Sequence, residues 1–266
     1  MSLVGRLIRI SPPRDLQAVL FDAGNTLIYF QGNPLEAFAE SDRTLINTLH
    51  AAGLKLDENA FLAQFRLRLE QYYAERETEF IEYTTAYILR TCLAEWGYPD
   101  IPETLLRKAL ADMYAVTQAR WQPEDDALPT LEALRRQGYR LGLISNAADD
   151  ADVQVLIDKA RLRPYLEIIL TSAAAGIRKP NPRIFQAALD FLGIRSEKAA
   201  MVGDTLGADI LGAKNAGIYA IWITRRANTP ANLAHQFTIQ PDATINTLSE
   251  LPGLLETLSA TRSTIG

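Results

Sequence analysis

The chain has 266 residues, of which 48% are hydrophobic and 22% are charged, and this composition excludes a disordered polypeptide. Its net charge of −5 and the lack of a Lys/Arg run argue against a nucleic-acid partner. Cys92 is the only cysteine, so no internal disulfide can form and a reducing compartment fits. His50 and His235 lie far apart without ligand-like neighbours, which argues against a His/Cys zinc site.

The N-terminal segment, residues 1–16, lacks the sustained apolar stretch of a signal peptide. No part of the chain approaches the ~18 consecutive apolar residues that a membrane span requires. We therefore expect a soluble cytoplasmic protein without a membrane partner.

The first half of the chain contains one strand pattern followed by a long helical block. Residues 18–22 form an apolar run that ends in Asp22, and this run predicts the first strand. Residues 30–127 have helical periodicity and no convincing strand, which predicts an inserted all-α domain resembling a small bundle. Turn-forming residues predict hinges at 29–34 and 121–129. The predicted division is therefore residues 1–29 with 128–266 as one domain and residues 30–127 as another.

The second half alternates strand and helix patterns. Strand-like runs lie at residues 139–146, 166–172, 199–204 and 219–225. Helical spacing lies at residues 181–193, 208–217 and 248–258. This alternation predicts an α/β fold with a Rossmann-like parallel sheet and helices on both faces.

Polar side chains follow the ends of these predicted strands. The first ends at Asp22, another at Ser145 and Asn146, and another at Asp204, while Lys179 follows a further strand. Ligands of open parallel sheets bind beyond the carboxyl ends of the strands. The two carboxylates supply the hard oxygen ligands that Mg²⁺ prefers, and the ammonium, the hydroxyl and backbone N–H groups can hold an anion. Each residue alone fits a turn, a cap or a solvated surface, but their joint placement predicts a cation and phosphate site.

Four segments together resemble the haloacid dehalogenase (HAD) superfamily. They are FDAGNTL, LISN, GIRKPNPRIF and MVGDTLGADILGAKNAG, and they occur in the order of that family's four motifs. The fourth is the most specific, with Gly203, Asp204, Asp209 and Gly217 in register. The helical block after the first motif is similar to the cap domain of that family. The resemblance covers the predicted core and implies the same α/β fold.

The resemblance also implies a mechanism and a set of site residues. Asp22 would be the nucleophile that attacks phosphorus and forms an aspartyl-phosphate. Mg²⁺ would be bound by Asp22, by the carbonyl of Gly24 and by Asp204, with Asp209 near the metal waters. Lys179 would neutralise charge on the transferring phosphoryl group. The expected phosphate-binding residues are Ser145, Asn146, Lys179 and Thr26. Of these, Thr26 would fix the loop that follows Asp22. The cap would select a small phosphorylated substrate.

One position departs from the pattern. Phosphatases of the family usually carry a second aspartate where this chain has Gly24; it protonates the leaving group and then activates water. General acid–base catalysis contributes about 10²–10⁴ in rate, so we expect weak hydrolysis of alkyl phosphates. Glutamates of the helical block could supply the proton instead, although a solvated helix face explains each of them more simply: Glu70, Glu75, Glu77, Glu79 and Glu82.

Two alternatives remain open at this point. One is a haloacid dehalogenase or a phosphonatase-like C–X bond hydrolase, because relatives with these activities also lack the second aspartate. Dehalogenation needs no metal, whereas GDTLGAD indicates one, and the phosphonate route needs a cap lysine, for which Lys55 and Lys108 are the candidates. The other is a non-catalytic phosphate-binding regulatory protein, against which the retained nucleophile Asp22 counts.

Overall fold

The computed structural model describes residues 15–260, so the predictions for residues 1–14 and 261–266 lie outside it. Its strands in chain order are β1 (Ala18–Phe21), β2 (Ile28–Phe30), β3 (Trp121–Pro123), β4 (Arg140–Ser145), β5 (Ile168–Thr171), β6 (Ala199–Gly203), β7 (Tyr219–Ile223) and β8 (Ala243–Ile245). Six of them form one sheet in the order β5-β4-β1-β6-β7-β8, and all its pairings are parallel. The prediction of a parallel sheet is confirmed.

The helices fall into two groups along the chain. Those between β2 and β3 are α1 (Pro34–Ala51), α2 (Glu58–Glu79), α3 (Thr85–Glu95) and α4 (Glu103–Gln118). Those that follow β3 are α5 (Ala127–Arg136), α6 (Asp150–Lys159), α7 (Ser172–Ala175), α8 (Pro182–Leu192), α9 (Leu211–Asn215), α10 (Pro230–Leu233) and α11 (Leu251–Ala260). Between residues 15 and 260, no helix combines the length and the apolarity needed to cross a bilayer.

The central strand β1 is buried on both faces. Its side chains alternate, with Val19 and Phe21 in one apolar cluster and Ala18 and Leu20 in another. Helix α8 covers the second cluster because its apolar residues recur at helical spacing, and it runs from the Asn181 cap to the left-handed Gly193. Helices therefore cover both faces of the sheet, as an all-parallel sheet requires.

Helices α1 to α4 bury an apolar cluster of their own. Its members, among them Leu45, Phe61, Leu89 and Leu106, all come from residues 45–113 and are separate from the two clusters that flank the sheet. We propose on this basis that residues 30–127 form a cap domain on the core.

The prediction that residues 30–127 contain no strand is wrong at both ends of the block. The two predicted hinge segments pair as antiparallel strands β2 and β3, and the rings of Phe30 and Trp121 meet edge to face at 5.5 Å. Three-residue strands are too short to produce an alternating pattern that the sequence reveals. Strand β8, which extends the sheet beyond β7, could not be predicted for the same reason, since it also has only three residues.

Candidate active site

A cavity of about 750 Å³ lies at the carboxyl edge of the sheet. Strand β1 ends there between β4 and β6, which brings Asp22, Ser145 and Asp204 to neighbouring positions. Seven of the eight predicted site residues line this cavity: Asp22, Gly24, Ser145, Asn146, Lys179, Asp204 and Asp209. The eighth, Thr26, does not.

Lys179 lies at the centre of the charged groups. Its Nζ is 2.6 Å from Asp22 Oδ1 and 2.7 Å from Asp209 Oδ1, and it donates to the carbonyl of Ile144 at 2.7 Å. Burial alone would lower the pKa of Lys179, but the carboxylates of Asp209 and Asp22 raise it above its usual value. The lysine is therefore held as a buried ammonium beside the predicted nucleophile.

Three carboxylates come together at this edge. Oxygens of Asp22, Asp204 and Asp209 lie within 4.8 Å of one another. Burial raises the pKa of Asp204 to about 8, and repulsion from Asp22 and Asp209 adds to that effect. The pKa of Asp22 is raised to about 6, chiefly by burial and against the attraction of Lys179. One ammonium faces three carboxylates, so a divalent cation with hard oxygen ligands fits both the charge and the donor set.

The local sequence explains how Asp209 approaches the strand end so closely. A Cβ at Gly203 would lie 2.3 Å from the Asp209 carboxyl carbon, so only glycine leaves the room. The main-chain N–H of Thr205 donates to Asp209 Oδ2 at 2.9 Å. A π-helical turn at Leu206–Ile210 carries Asp209 back over the end of β6, where the sequence predicted the start of a helix.

The sequence predicts Asn146 and Thr26 among the phosphate contacts, with Thr26 fixing the loop. The Asn146 side-chain amide makes two hydrogen bonds to the main chain of Lys179. Its Nδ2 donates to the Lys179 carbonyl at 2.9 Å, and its Oδ1 accepts from the Lys179 N–H at 2.8 Å. Thr26 is fully buried, and its hydroxyl has no hydrogen-bond partner in the described part of the chain. The Asn146 side chain lines the cavity but is bonded to the Lys179 main chain, whereas Thr26 does not line it, so we propose that both support the site.

The residues that line the cavity include a charged group and an apolar group, which we call its charged side and its apolar side. Its charged side consists of Asp22, Lys179, Asp204 and Asp209. Its apolar side consists of Ile28, Phe80, Trp121, Val153 and Leu156.

The indole of Trp121 on the apolar side stands over Gly24. A Cβ at Gly24 would lie 3.5 Å from Trp121 Cη2, an ordinary contact distance. The space in which a longer side chain at position 24 would extend therefore faces an aromatic ring.

The candidate acids and bases of the helical block whose side chains the structure describes lie outside this cavity. Glu82 Oε2 accepts from Ser172 Oγ at 2.7 Å and lies 3.3 Å from Arg178 Nη1. Among the four candidate glutamates whose side chains the structure describes, none lines the cavity: Glu70, Glu75, Glu79 and Glu82. Both candidate Schiff-base lysines are also outside it, and Lys108 donates to Asp112 at 2.7 Å.

The cavity also includes residues that the sequence analysis did not single out, among them Asp152, Arg178 and His235. Asp152 belongs to the stretch ADDAD, which resembles the acidic first turn of many helices. A stretch of this kind does not show which of its three acids turns toward a cavity. Only the packing of α6 makes that distinction.

Comparisons with known proteins agree with this geometry. Residues 16–217 match the family model of haloacid dehalogenase-like hydrolases. Glyceraldehyde 3-phosphate phosphatase of Methanopyrus kandleri is 32% identical over 212 residues, which cover 79% of this chain and 84% of that protein. Phosphoglycolate phosphatase of Aquifex aeolicus is 28% identical over 218 residues, covering 81% and 93%.

A solved structure is similar over nearly the whole fold. The crystal structure of a 2-haloacid dehalogenase from Pseudomonas syringae superimposes with a TM-score of 0.68 at 26% identity, covering 92% of this chain and 100% of that one. The family match spans the sheet edge that carries Asp22, Lys179 and Asp204. The chain therefore belongs to the haloacid dehalogenase-like hydrolases.

Proposed function

We propose that this hydrolase cleaves small phosphate monoesters with Mg²⁺ through a phosphorylated Asp22. The observation that carries the proposal is the cluster of three carboxylates around one buried ammonium at the sheet edge. Relatives named as phosphatases of glyceraldehyde 3-phosphate and phosphoglycolate support a small phosphorylated substrate.

Each residue of the charged side has a distinct part in this proposal. An Asp22 oxygen attacks phosphorus, and the bond between phosphorus and the leaving-group oxygen breaks. Lys179 holds Asp22 in place and offsets the negative charge that accumulates on the phosphoryl group. Ser145, at the end of β4 and on the cavity wall, donates to a phosphoryl oxygen. Asn146 keeps Lys179 in position through its two bonds to the lysine main chain.

The metal would be held by Asp22, Asp204 and the main-chain carbonyl of Gly24, with Asp209 supporting its water ligands. No donor in the described part of the chain bonds the Gly24 carbonyl, so it is free to serve as a ligand. When bound, Mg²⁺ supplies a positive charge that draws the phosphate and the nucleophile together.

A carbon–halogen hydrolase is the second candidate, supported by the similarity to a 2-haloacid dehalogenase structure. The two candidates differ in their need for metal, because a haloacid carries no phosphoryl charge to neutralise. We consider dehalogenation weaker because three clustered carboxylates would be left with one ammonium as their counter-charge.

The test is turnover of four compounds with Mg²⁺ and with EDTA: p-nitrophenyl phosphate, glyceraldehyde 3-phosphate, phosphoglycolate and 2-chloropropionate. We expect phosphate release that requires both Mg²⁺ and Asp22. Chloride release in EDTA without phosphate release would replace this proposal with the second candidate. Anion binding without turnover of any compound would indicate the regulatory alternative.

A further inference from the structure

Phosphoryl transfer to Asp22 leaves an oxygen that needs a proton when the ester is an alkyl one. An alkoxide is a strong base and leaves poorly, whereas an aryl oxide leaves without much help. The residue next but one to the nucleophile, Gly24, has no side chain that could donate. Another group on the cavity wall must therefore supply the proton if alkyl esters are substrates.

Few titratable side chains of the cavity wall remain for this task. Beyond the charged side, the described residues that line the cavity include three ionisable ones: Asp152, Arg178 and His235. A guanidinium does not give up its proton in proteins, and that of Arg178 lies 3.3 Å from Glu82. His235 lies in an exposed segment after α10. Asp152 is the remaining carboxyl group.

The surroundings of Asp152 suit a group that exchanges protons. It lies in the first turn of α6, and the amide of Gln118, at the end of α4, donates to its Oδ1 at 2.9 Å. This bond orients the carboxyl group, and among the described residues Oδ2 has no hydrogen-bond partner. Burial raises the pKa of Asp152 to about 6, with the Gln118 bond lowering it and nearby Asp149 raising it. A carboxyl group in such a setting exists in both protonation states near neutral pH.

We propose that Asp152 is the general acid and base of this enzyme. In the first step Asp22 bonds to phosphorus, the ester P–O bond breaks, and the Asp152 proton passes to the leaving oxygen. In the second step water attacks phosphorus, its proton passes to the Asp152 carboxylate, and the bond to Asp22 breaks to release phosphate. Both steps balance without another reactant. This inference rests on the proposed function, since it assumes the phosphorylated Asp22.

The structure also assigns Gln118 a positioning role. It belongs to α4 of the helical block, whereas Asp152 belongs to the core, so their bond joins the two parts of the chain beside the cavity. The acid would be oriented only while α4 rests against α6. Gln118→Ala should therefore lower alkyl kcat/KM less than Asp152→Asn does, and in the same substrate-selective way.

The experiment compares wild type with Asp152→Asn, because asparagine can still accept the Gln118 bond but cannot donate an acidic proton. Asp158→Asn is the matched control, since Asp158 lies on the same helix, is exposed and pairs with Arg163. The substrates are glyceraldehyde 3-phosphate and phosphoglycolate as alkyl esters and p-nitrophenyl phosphate as the aryl ester. Melting temperatures establish that each variant is folded.

We expect Asp152→Asn to lower kcat/KM for the alkyl esters by about 10²–10⁴-fold. For p-nitrophenyl phosphate kcat/KM should stay within about threefold, because that leaving group needs no acid. Its kcat should fall, with a stoichiometric burst of p-nitrophenolate, since the water that attacks phosphorylated Asp22 lacks its base. Asp158→Asn should match wild type on all substrates.

Three results would overturn the inference. The first is a folded Asp152→Asn variant whose kcat/KM for the alkyl esters stays within threefold of the wild-type value. The second is an equal loss of kcat/KM on alkyl and aryl esters without a burst, and the third is a wild-type protein that cleaves only the aryl ester. A selective alkyl loss in His235→Gln instead would move the role to His235. Failure of the proposed function is a separate outcome, in which no ester shows turnover that depends on Asp22.

Discussion

The charged and apolar sides of the cavity are built in different ways. The charged side lies at the end of β1, directly after β6 and in the loop after α7, and the buried ammonium of Lys179 is fixed by three contacts of 2.6–2.7 Å. The apolar side includes Phe80, which follows α2, and Trp121 on the short strand β3. The charged side therefore depends on the sheet edge, whereas the apolar side is shared: Phe80 and Trp121 come from the helical block, and Ile28, Val153 and Leu156 come from the core.

The two parts of the chain are nevertheless connected next to the reacting groups. The Glu82 N–H donates to the Gly176 carbonyl at 3.1 Å, and the Arg178 N–H donates to the Phe80 carbonyl at 3.0 Å. Ile81 and Ile177 form an isolated antiparallel bridge between them. The segment that presents Lys179 is thus paired with the segment that presents Phe80. A movement of the helical block would therefore displace the main chain next to the lysine.

The strongest test of the charged side is the loss of the proposed nucleophile, Asp22. Asp22→Asn should lower kcat on p-nitrophenyl phosphate by at least about 10⁴-fold, because an amide cannot form the phosphorylated intermediate. Trapping of radiolabelled phosphate on the protein should disappear at the same time. Retained labelling at another residue would show that Asp22 is not the nucleophile.

Removal of the central ammonium should affect both activity and folding. Lys179→Met leaves the Asp22 and Asp209 carboxylates buried without their counter-charge, and breaking such a pair costs about 3–5 kcal/mol of unfolding free energy. Urea denaturation in EDTA measures this loss. The control Lys108→Met removes a lysine from an exposed pair with Asp112, so it should change stability by less than about 1 kcal/mol. Equal stabilities of the two variants would contradict the proposed central role of Lys179.

The metal-free protein should lose stability as the pH rises. The folded chain raises the pKa of Asp204 to about 8 and that of Asp22 to about 6, mainly by burial, so it binds these protons more tightly than the unfolded chain does. Their stabilising contribution is therefore complete below about pH 4 and is lost as the pH rises through 6 to 8.

Thermal unfolding in EDTA at pH 5.5 and pH 8.5 measures that loss, which we expect to amount to several degrees in Tm. Excess Mg²⁺ should reduce the fall, because a bound cation stabilises the carboxylates. The variant Asp204→Asn should flatten the curve in EDTA. A rise of Tm over this interval in EDTA would contradict the assignment of these acids as a buried, mutually repelling cluster.

Much of the fold and of the charged side could be predicted from the sequence because both depend on local patterns. Long apolar runs with turn residues between them define β4, β6 and β7, and reactive residues at strand ends must share one edge of a parallel sheet. The three-residue strands β2, β3 and β8 could not be predicted, because their pairing depends on distant segments. The predicted hinges at 29–34 and 121–129 overlap β2 and β3, and this pairing could not be predicted for the same reason.

The apolar side and the supporting residues could not be predicted for a related reason. The amide of Asn146 follows a strand end, as a phosphate ligand would, yet it contacts the Lys179 main chain more than thirty residues away. In the sequence, Asp152 cannot be distinguished from other acids in the first turn of a helix. Its distinguishing contact is the bond from Gln118 on α4, which only the fold brings beside it. Side-chain direction at these positions is set by tertiary packing, which sequence spacing does not report.

The last and smallest expected effect joins the two sides at Gly24. This glycine does not lie in the left-handed region, and a Cβ there would touch Trp121 at an ordinary 3.5 Å. Gly24→Asp should therefore fold, with its carboxyl group beside the indole. In the Asp152→Asn background it should raise alkyl kcat/KM by up to about 10²-fold, the low end for a positioned acid. In wild type the gain in alkyl kcat/KM should be below about threefold. Asp152 would already donate the proton there, and the rate effects of two acids that act on the same step are not additive.

The matched control for this double variant is Gly24→Asn, which has the same shape without a titratable proton and should give no gain in either background. Asp22→Asn in each background excludes a contaminating phosphatase. Equal gains from Gly24→Asp with and without Asp152 would show that the two positions act independently. The enzyme would then be a weak alkyl phosphatase that lacks an acid, as the sequence alone predicts. A gain confined to the Asp152→Asn background would instead mean that the acid of this site lies on α6, where its orientation depends on contact with the helical block.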